Sequence, residues 1–167
     1  VIGTYKTSAN GSITITGLKA GTYVVEEIAA PDGHIIDTAP QTVYLSGKDQ
    51  DVVQVYFGNS SEGNLIIHKL DSKTKKPLEG VQFKITYADG SFVADKGGQL
   101  SSNGLYWTDE NGQIILSDIT GTLVVTEVES IPGYVIHEET RSQTVVVNPN
   151  DTQELYFYND PVAGILI

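Results

Sequence analysis

Three polar residues with reactive side chains each end a row of apolar ones. In LIIHKLD, Leu65, Ile67 and Lys69 share one face of an extended strand; in LVVTEVE, Leu123, Val125 and Glu127 do so; in ELYFYN, Leu155, Phe157 and Asn159 do so. Each row should face a core, so an amine, a carboxyl and a carboxamide are aimed where water is excluded. An isolated charge is too costly to bury unless it is neutralised or partnered. Two arrangements meet that demand. One is an ion pair between Lys69 and Glu127 with a hydrogen-bonded Asn159 beside it, the commoner use of such residues. The other is chemistry: desolvation favours the neutral form of both charged groups, turning lysine into a nucleophilic amine and glutamate into a proton donor. Alternation alone leaves both open.

The elements that must position these residues read as strands. The apolar residues of this 167-residue chain are mostly β-branched or aromatic, with nine Tyr and no Met, and 17 Gly with many Asn and Asp supply turns. LIIHKL (65–70), VQFKITYA (81–88), SFVA (91–94), LYWT (105–108), QIILSD (113–118), TLVVTEV (122–128), QTVVVN (143–148) and ELYFYN (154–159) are predicted strands. Asp89-Gly90 reads as a turn, and TDENGQ (108–113) as a hairpin between LYWT and QIILSD. No segment carries a helical stripe, so the expected fold class is all-β, a β-sandwich with little or no helix.

The pattern occurs more than once. GTYVVEEIAAPDGHII (21–36) lies over GTLVVTEVESIPGYVI (121–136) and QVYFGN (54–59) over ELYFYN (154–159), an offset of 100 that superposes Glu27 on Glu127 and Asn59 on Asn159. EGNLII (62–67) recurs as VAGILI (162–167). The expected organisation is an incomplete repeat at 1–61 lacking its first strands, a complete one at 62–161, and the opening strand of a further one at 162–167. The chain reads as an excerpt of something larger.

In this order and spacing the motifs resemble the B-type domain of Gram-positive collagen adhesins, the Cna B-type or SpaA-like domain with a pilin-type prealbumin fold. The residues that carry the resemblance are GNLIIHKLDSKTKKPLEGVQFKI with its K-x-D and P-L-x-G-x-x-F, then TDENGQ, GTLVVTE, PGY and YFYN. The resemblance implies a spontaneous isopeptide bond within the domain: Lys69 as amine, Asn159 as carboxamide acceptor and Glu127 as the acid that shuttles protons. It further implies a structural stalk domain of a cell-wall-anchored, extracellular adhesin or pilus, with neighbouring repeats of the same polypeptide as partners and no cofactor. A host matrix protein or glycan would be met through another domain; the alternative is that this module binds such a ligand through its own end loops. Nothing implies an enzyme beyond a single self-crosslinking event.

The chain departs from that pattern in places. SIPGY (130–134) stands where A-P-x-G-Y is usual, a change expected to matter little, and His34 takes the tyrosine's place in APDGH, where it could alter packing over Glu27. The incomplete repeat has no lysine at the required position, since Lys6 and Lys19 lie on later segments. Glu27 and Asn59 are therefore expected to stay unreacted unless another chain supplies the missing strand. VAGILI ends before its own lysine would fall, so it could complete a fold in trans but not a bond.

Composition narrows the function further. With 21 acidic against 10 basic residues the net charge is −11, which disfavours nucleic acid and anionic membrane as partners. No cysteine is present, so neither a disulfide scaffold nor a thiolate metal site is available. His34, His68 and His137 fall in no metal-ligand spacing, and TDENGQ lacks the alternating carboxylates of a calcium loop. KTKK (73–76) reads as a solvated loop and Tyr106-Trp107 as packing residues.

Overall fold

The computed structural model describes residues 1–48, 52–93, 101 and 103–164. No helix occurs among them. The chain divides into two compact units, Val1–Ile28 with Asp37–Gly58, and Ala29–Ile36 with Asn59–Ile167. In the first unit, β1 (Gly21–Val25) and β3 (Gln41–Leu45) pair antiparallel with Tyr23 opposite Val43. The residues expected inward there, Tyr23, Val25 and Glu27, are the less exposed of their row.

The second unit gathers residues from further back in the chain. The strand β2 (His34–Ile35) pairs antiparallel with β4 (Ser60–Ser61), and the amide of Glu62 donates to the carbonyl of Gly33 at 3.0 Å. Residues 29–36 and 59–61 thus fold with the segment that follows them.

The rest of this unit is built from β5 (Gly63–Asp71), β6 (Gln82–Tyr87), β7 (Leu105–Trp107), β8 (Gln113–Ile119), β9 (Gly121–Glu129), β10 (Tyr134–Val135), β11 (Ser142–Val147) and β12 (Thr152–Pro161). They form two four-stranded sheets, ordered β10-β12-β5-β8 and β11-β9-β6-β7. All neighbours are antiparallel except β12 and β5, which run parallel. Strict alternation explains the sandwich: β5 is buried at every second residue from Gly63 to Asp71. Leu65, Ile67, Leu116 and Phe157 from one sheet and Phe83, Ile85, Tyr106, Leu123 and Val125 from the other make the core.

Two expectations need correcting. TDENGQ is not a hairpin joining paired strands, because β7 pairs with β6 in one sheet and β8 with β5 in the other. The turn itself closes locally, the Asp109 amide donating to the Gln113 carbonyl at 2.9 Å and the Asp109 carboxylate accepting from Asn111 and Gln113. Beyond it the chain diverges, since Thr108 donates to the Val81 carbonyl while the Gly112 carbonyl accepts from the amide of Lys69. In SFVA only an isolated bridge from Phe92 to Thr86 forms, and Ala94 lies outside the described residues, as do the last three residues of VAGILI.

Gly112 ties this turn to β5. Its φ is +68°, and a Cβ added there would sit 2.6 Å from the Lys69 carbonyl oxygen and 2.8 Å from Cβ of Pro77. Backbone cannot yield as a flexible side-chain tip would, so Gly112→Ala combines a left-handed φ with a clash. Gly112→Ala is expected to lower stability by about 1–3 kcal/mol, read as a fall in denaturation midpoint at unchanged m-value.

Candidate functional site

Lys69 sits on β5, Asn159 on β12 and Glu127 on β9. The parallel register places Phe157 beside Lys69 and Asn159 beside Asp71, so Asn159 lies two residues along from Lys69 on the same inward face. Glu127 comes from the opposite sheet, where it stands across from Phe83. The rings of Phe83 and Phe157 pack edge to face, centroids 4.9 Å apart, bridging the sheets next to the polar group.

The three side chains form a closed hydrogen-bonded ring. Lys69 Nζ donates to Glu127 Oε2 at 2.8 Å and to Asn159 Oδ1 at 2.6 Å. Asn159 Nδ2 donates to Glu127 Oε1 at 2.6 Å and to the hydroxyl of Ser130 at 2.9 Å. Lys69 and Asn159 are 0 % exposed and Glu127 is 1 % exposed, which keeps water from competing for any of these bonds. Burial pushes the Lys69 amine below its ordinary pKa, and the hydrogen bond and charge of Glu127 only partly oppose that. The amine is thereby biased toward its nucleophilic form. Moving one proton along the 2.8 Å contact turns ammonium and carboxylate into amine and carboxylic acid with no net change of charge.

Other residues hold this group from behind. Asp71, two residues after Lys69, accepts from the amides of Lys73 at 2.7 Å and Thr74 at 2.9 Å, and from the hydroxyl of Tyr134 at 2.9 Å. The K-x-D and PGY segments are thus joined by one hydrogen bond across the end of β5. The Thr74 amide, with further bonds from Lys73 and Tyr134, holds the Asp71 carboxyl below the usual carboxylate range. A lowered folded pKa stabilises above the unfolded value of 3.8, and that stabilisation disappears as pH falls through the folded value. Asp71→Asn should therefore flatten the loss of stability below pH 3.8, measured as the pH dependence of the denaturation midpoint.

The remaining candidates lie elsewhere. Glu27, in the first unit, accepts from the amide of Asp37 at 2.8 Å, whereas Asn59 opens the later segment of the second unit. Lys6 and Lys19 are exposed. His34 pairs with Ser61 on β4, its Nδ1 3.1 Å from the carbonyl of Asp32. His68 faces away from Lys69, stacks on Tyr156 and contacts Glu154 at 2.9 Å. Among the described residues no cluster of His, Asp and Glu could hold a metal ion. Ser130 is the residue whose place in the site the sequence did not announce: a small residue was expected there, and only the path of the chain after β9 aims its hydroxyl at Asn159.

Comparison with known proteins identifies the family of the chain. The Bacillus anthracis TIE protein superposes with a TM-score of 0.53 at 23 % identity, over 93 % of this chain and 28 % of that one. GBS52, the minor pilin of Streptococcus agalactiae, does so with 0.51 at 23 %, over 96 % and 68 %. A streptococcal ancillary pilin gives 0.52 at 23 %, over 87 % and 46 %. At such identities the likeness is one of fold, and the chain spans from about a quarter to two thirds of those proteins' lengths. A comparison with curated proteins finds no match. The model of the SpaA family, described as a prealbumin-like fold domain, matches residues 1–61 and again 63–161, and the chain therefore belongs to the SpaA prealbumin-like fold domain family.

Proposed function

We propose that this chain is a stalk segment of a Gram-positive pilus or surface adhesin, stiffened by an isopeptide bond between Lys69 and Asn159 that Glu127 promotes. The observation that carries the reading is the fully buried ring in which Lys69 Nζ lies 2.6 Å from the Asn159 carboxamide and Glu127 touches both partners. A ring of this kind is more than an ion pair needs, because the amide is held between nucleophile and acid.

The reaction follows from the contacts. Glu127 Oε2 takes a proton from the Lys69 ammonium, freeing the amine. Nζ then bonds to Cγ of Asn159, and the folded sheets supply the proximity that an intermolecular reaction would lack. The Cγ–Nδ2 bond breaks with its electron pair on nitrogen, which receives a proton through Glu127 Oε1 and leaves as ammonia. Nζ gives up its second proton to the Glu127 carboxylate, so the products are one secondary amide, one ammonia and a protonated Glu127, with no oxidant or cofactor required. Nothing turns over, so the step is a modification of the chain by itself.

The stalk role rests on where the bond falls. It would join β5 to β12, the first and last long strands of the second unit, across a separation of 90 residues. The fold shared with a minor pilin and an ancillary pilin supports the same assignment. Repeats at 1–61 and 62–161, in tandem along one polypeptide at a cell surface, would then be links of a rod, with adjoining repeats as their partners. The measurement that tests the reading is the intact mass of the denatured chain, expected to be lighter than its sequence by one ammonia. A mass equal to the sequence would leave an ordinary buried ion pair and remove the basis of the stalk argument.

A further inference from the structure

We propose that Ser130 is a further member of the bond-forming site, holding the leaving nitrogen of Asn159 and passing the released ammonia outward; this rests on the isopeptide reading above. A primary carboxamide has two N–H donors and one carbonyl acceptor. Here all three are engaged: Oδ1 by Lys69 at 2.6 Å, one N–H by Glu127 at 2.6 Å and the other by Ser130 at 2.9 Å. Three contacts in different directions fix the plane of the amide, and the nucleophile must approach Cγ out of that plane. Without Ser130 the amide keeps two contacts and can rock about the line joining them. The hydroxyl therefore narrows the range of attack angles.

Its position gives it a second role. Lys69, Glu127 and Asn159 are sealed, but Ser130 is half-buried, directly after the last residue of β9. The bond that breaks is Cγ–Nδ2, and the nitrogen that departs already donates a hydrogen bond to Ser130 Oγ. As Glu127 supplies the proton that completes ammonia, the serine oxygen keeps accepting from the departing N–H and draws it toward the exposed side. Ser130 neither gains nor loses a proton overall, so the balance of the reaction is unchanged.

The full chain made by cell-free synthesis, quenched into denaturant at timed intervals and weighed intact, gives the rate of ammonia loss. Ser130→Ala is expected to reach the same final mass about three- to tenfold more slowly, the range one hydrogen bond supports. Ser130→Thr, which keeps the hydroxyl, is expected to restore most of the rate. In a Glu127→Gln background, where no bond forms, Ser130→Ala should leave the denaturation midpoint nearly unchanged, assigning the slowing to the reacting amide. Equal rates for Ser130→Ala and the parent, a threonine variant as slow as alanine, or a collapse of the midpoint would each overturn the proposal. If the parent and every variant stay at full mass, the bond itself is absent and this role falls with it, a pattern distinct from equal but finite rates.

Discussion

Glu127→Gln will keep the chain at its full sequence mass on a timescale in which the parent has lost one ammonia. The substitution preserves the shape of the side chain, though its single amide oxygen can accept from only one of Lys69 and Asn159, which donate to the two carboxylate oxygens at 2.8 and 2.6 Å. What it removes is the ability to take a proton from Nζ on one oxygen and return one to Nδ2 from the other. Positioned acid–base groups contribute about 10²–10⁴-fold, and here both proton transfers pass through one residue, so the upper part of that range is expected. Glu127→Ala is a harsher test of the same role. It leaves a buried lysine without its carboxylate, and breaking a buried pair in that way costs about 3–5 kcal/mol, so loss of the bond and loss of fold would be confounded. A time course of intact mass for the glutamine variant, with circular dichroism confirming sheet content, separates them. A glutamine variant that loses ammonia at the parental rate would leave the bond standing and remove Glu127 from the mechanism.

The inward placement of Lys69, Glu127 and Asn159 was legible in the sequence because alternation is a strong signal where one face is sealed. Lys69, Glu127 and Asn159 each follow two apolar residues at a spacing of two, and a one-residue slip would have turned whole rows to solvent. The longer strands of the second unit, β5 to β9 with β11 and β12, were legible for the same reason, as was the all-β class, whereas the two-residue strands β2, β4 and β10 were not. Nor was pairing. Asp109 and Gly112 mark a tight turn truthfully, but turn chemistry is local, and whether the flanking strands pair depends on which neighbours compete for their edges. Val81 takes Thr108 and Lys69 takes Gly112, so the strands part. The short ladder between His34–Ile35 and Ser60–Ser61 was not legible either, since it is decided by contacts no periodicity encodes. Ser130 escaped because a serine for an alanine looks neutral until the aim of its hydroxyl is known.

The largest effect on stability should come from the bond itself, and isolating it requires removing the charges together. Lys69→Met with Glu127→Leu replaces a buried pair by apolar groups of similar size, an exchange that is often neutral or stabilising. Destabilisation of the double variant therefore reports the missing cross-link, together with a buried Asn159 carboxamide that has lost two of its partners, and not a stranded charge. A link closing 90 residues constrains the unfolded chain as a disulfide of that span would, by roughly 4 kcal/mol. For a domain of about a hundred residues that corresponds to a fall in Tm on the order of 20 °C. Reducing agent should change neither protein, because an amide offers no sulfur to exchange and the chain has no cysteine. Force should separate them further. Tension entering at Gly63 would run along β5 to Lys69, cross to Asn159 and leave through the end of β12, so the residues between the two anchors bear no load. In single-molecule pulling the double variant should release roughly 300 Å of hidden length, at about 3.3–3.6 Å per residue, and the parent should release none of it. Equal extensions would mean that β5 and β12 are held by their parallel ladder alone, and that the unit resists force no better than any other sandwich of its size.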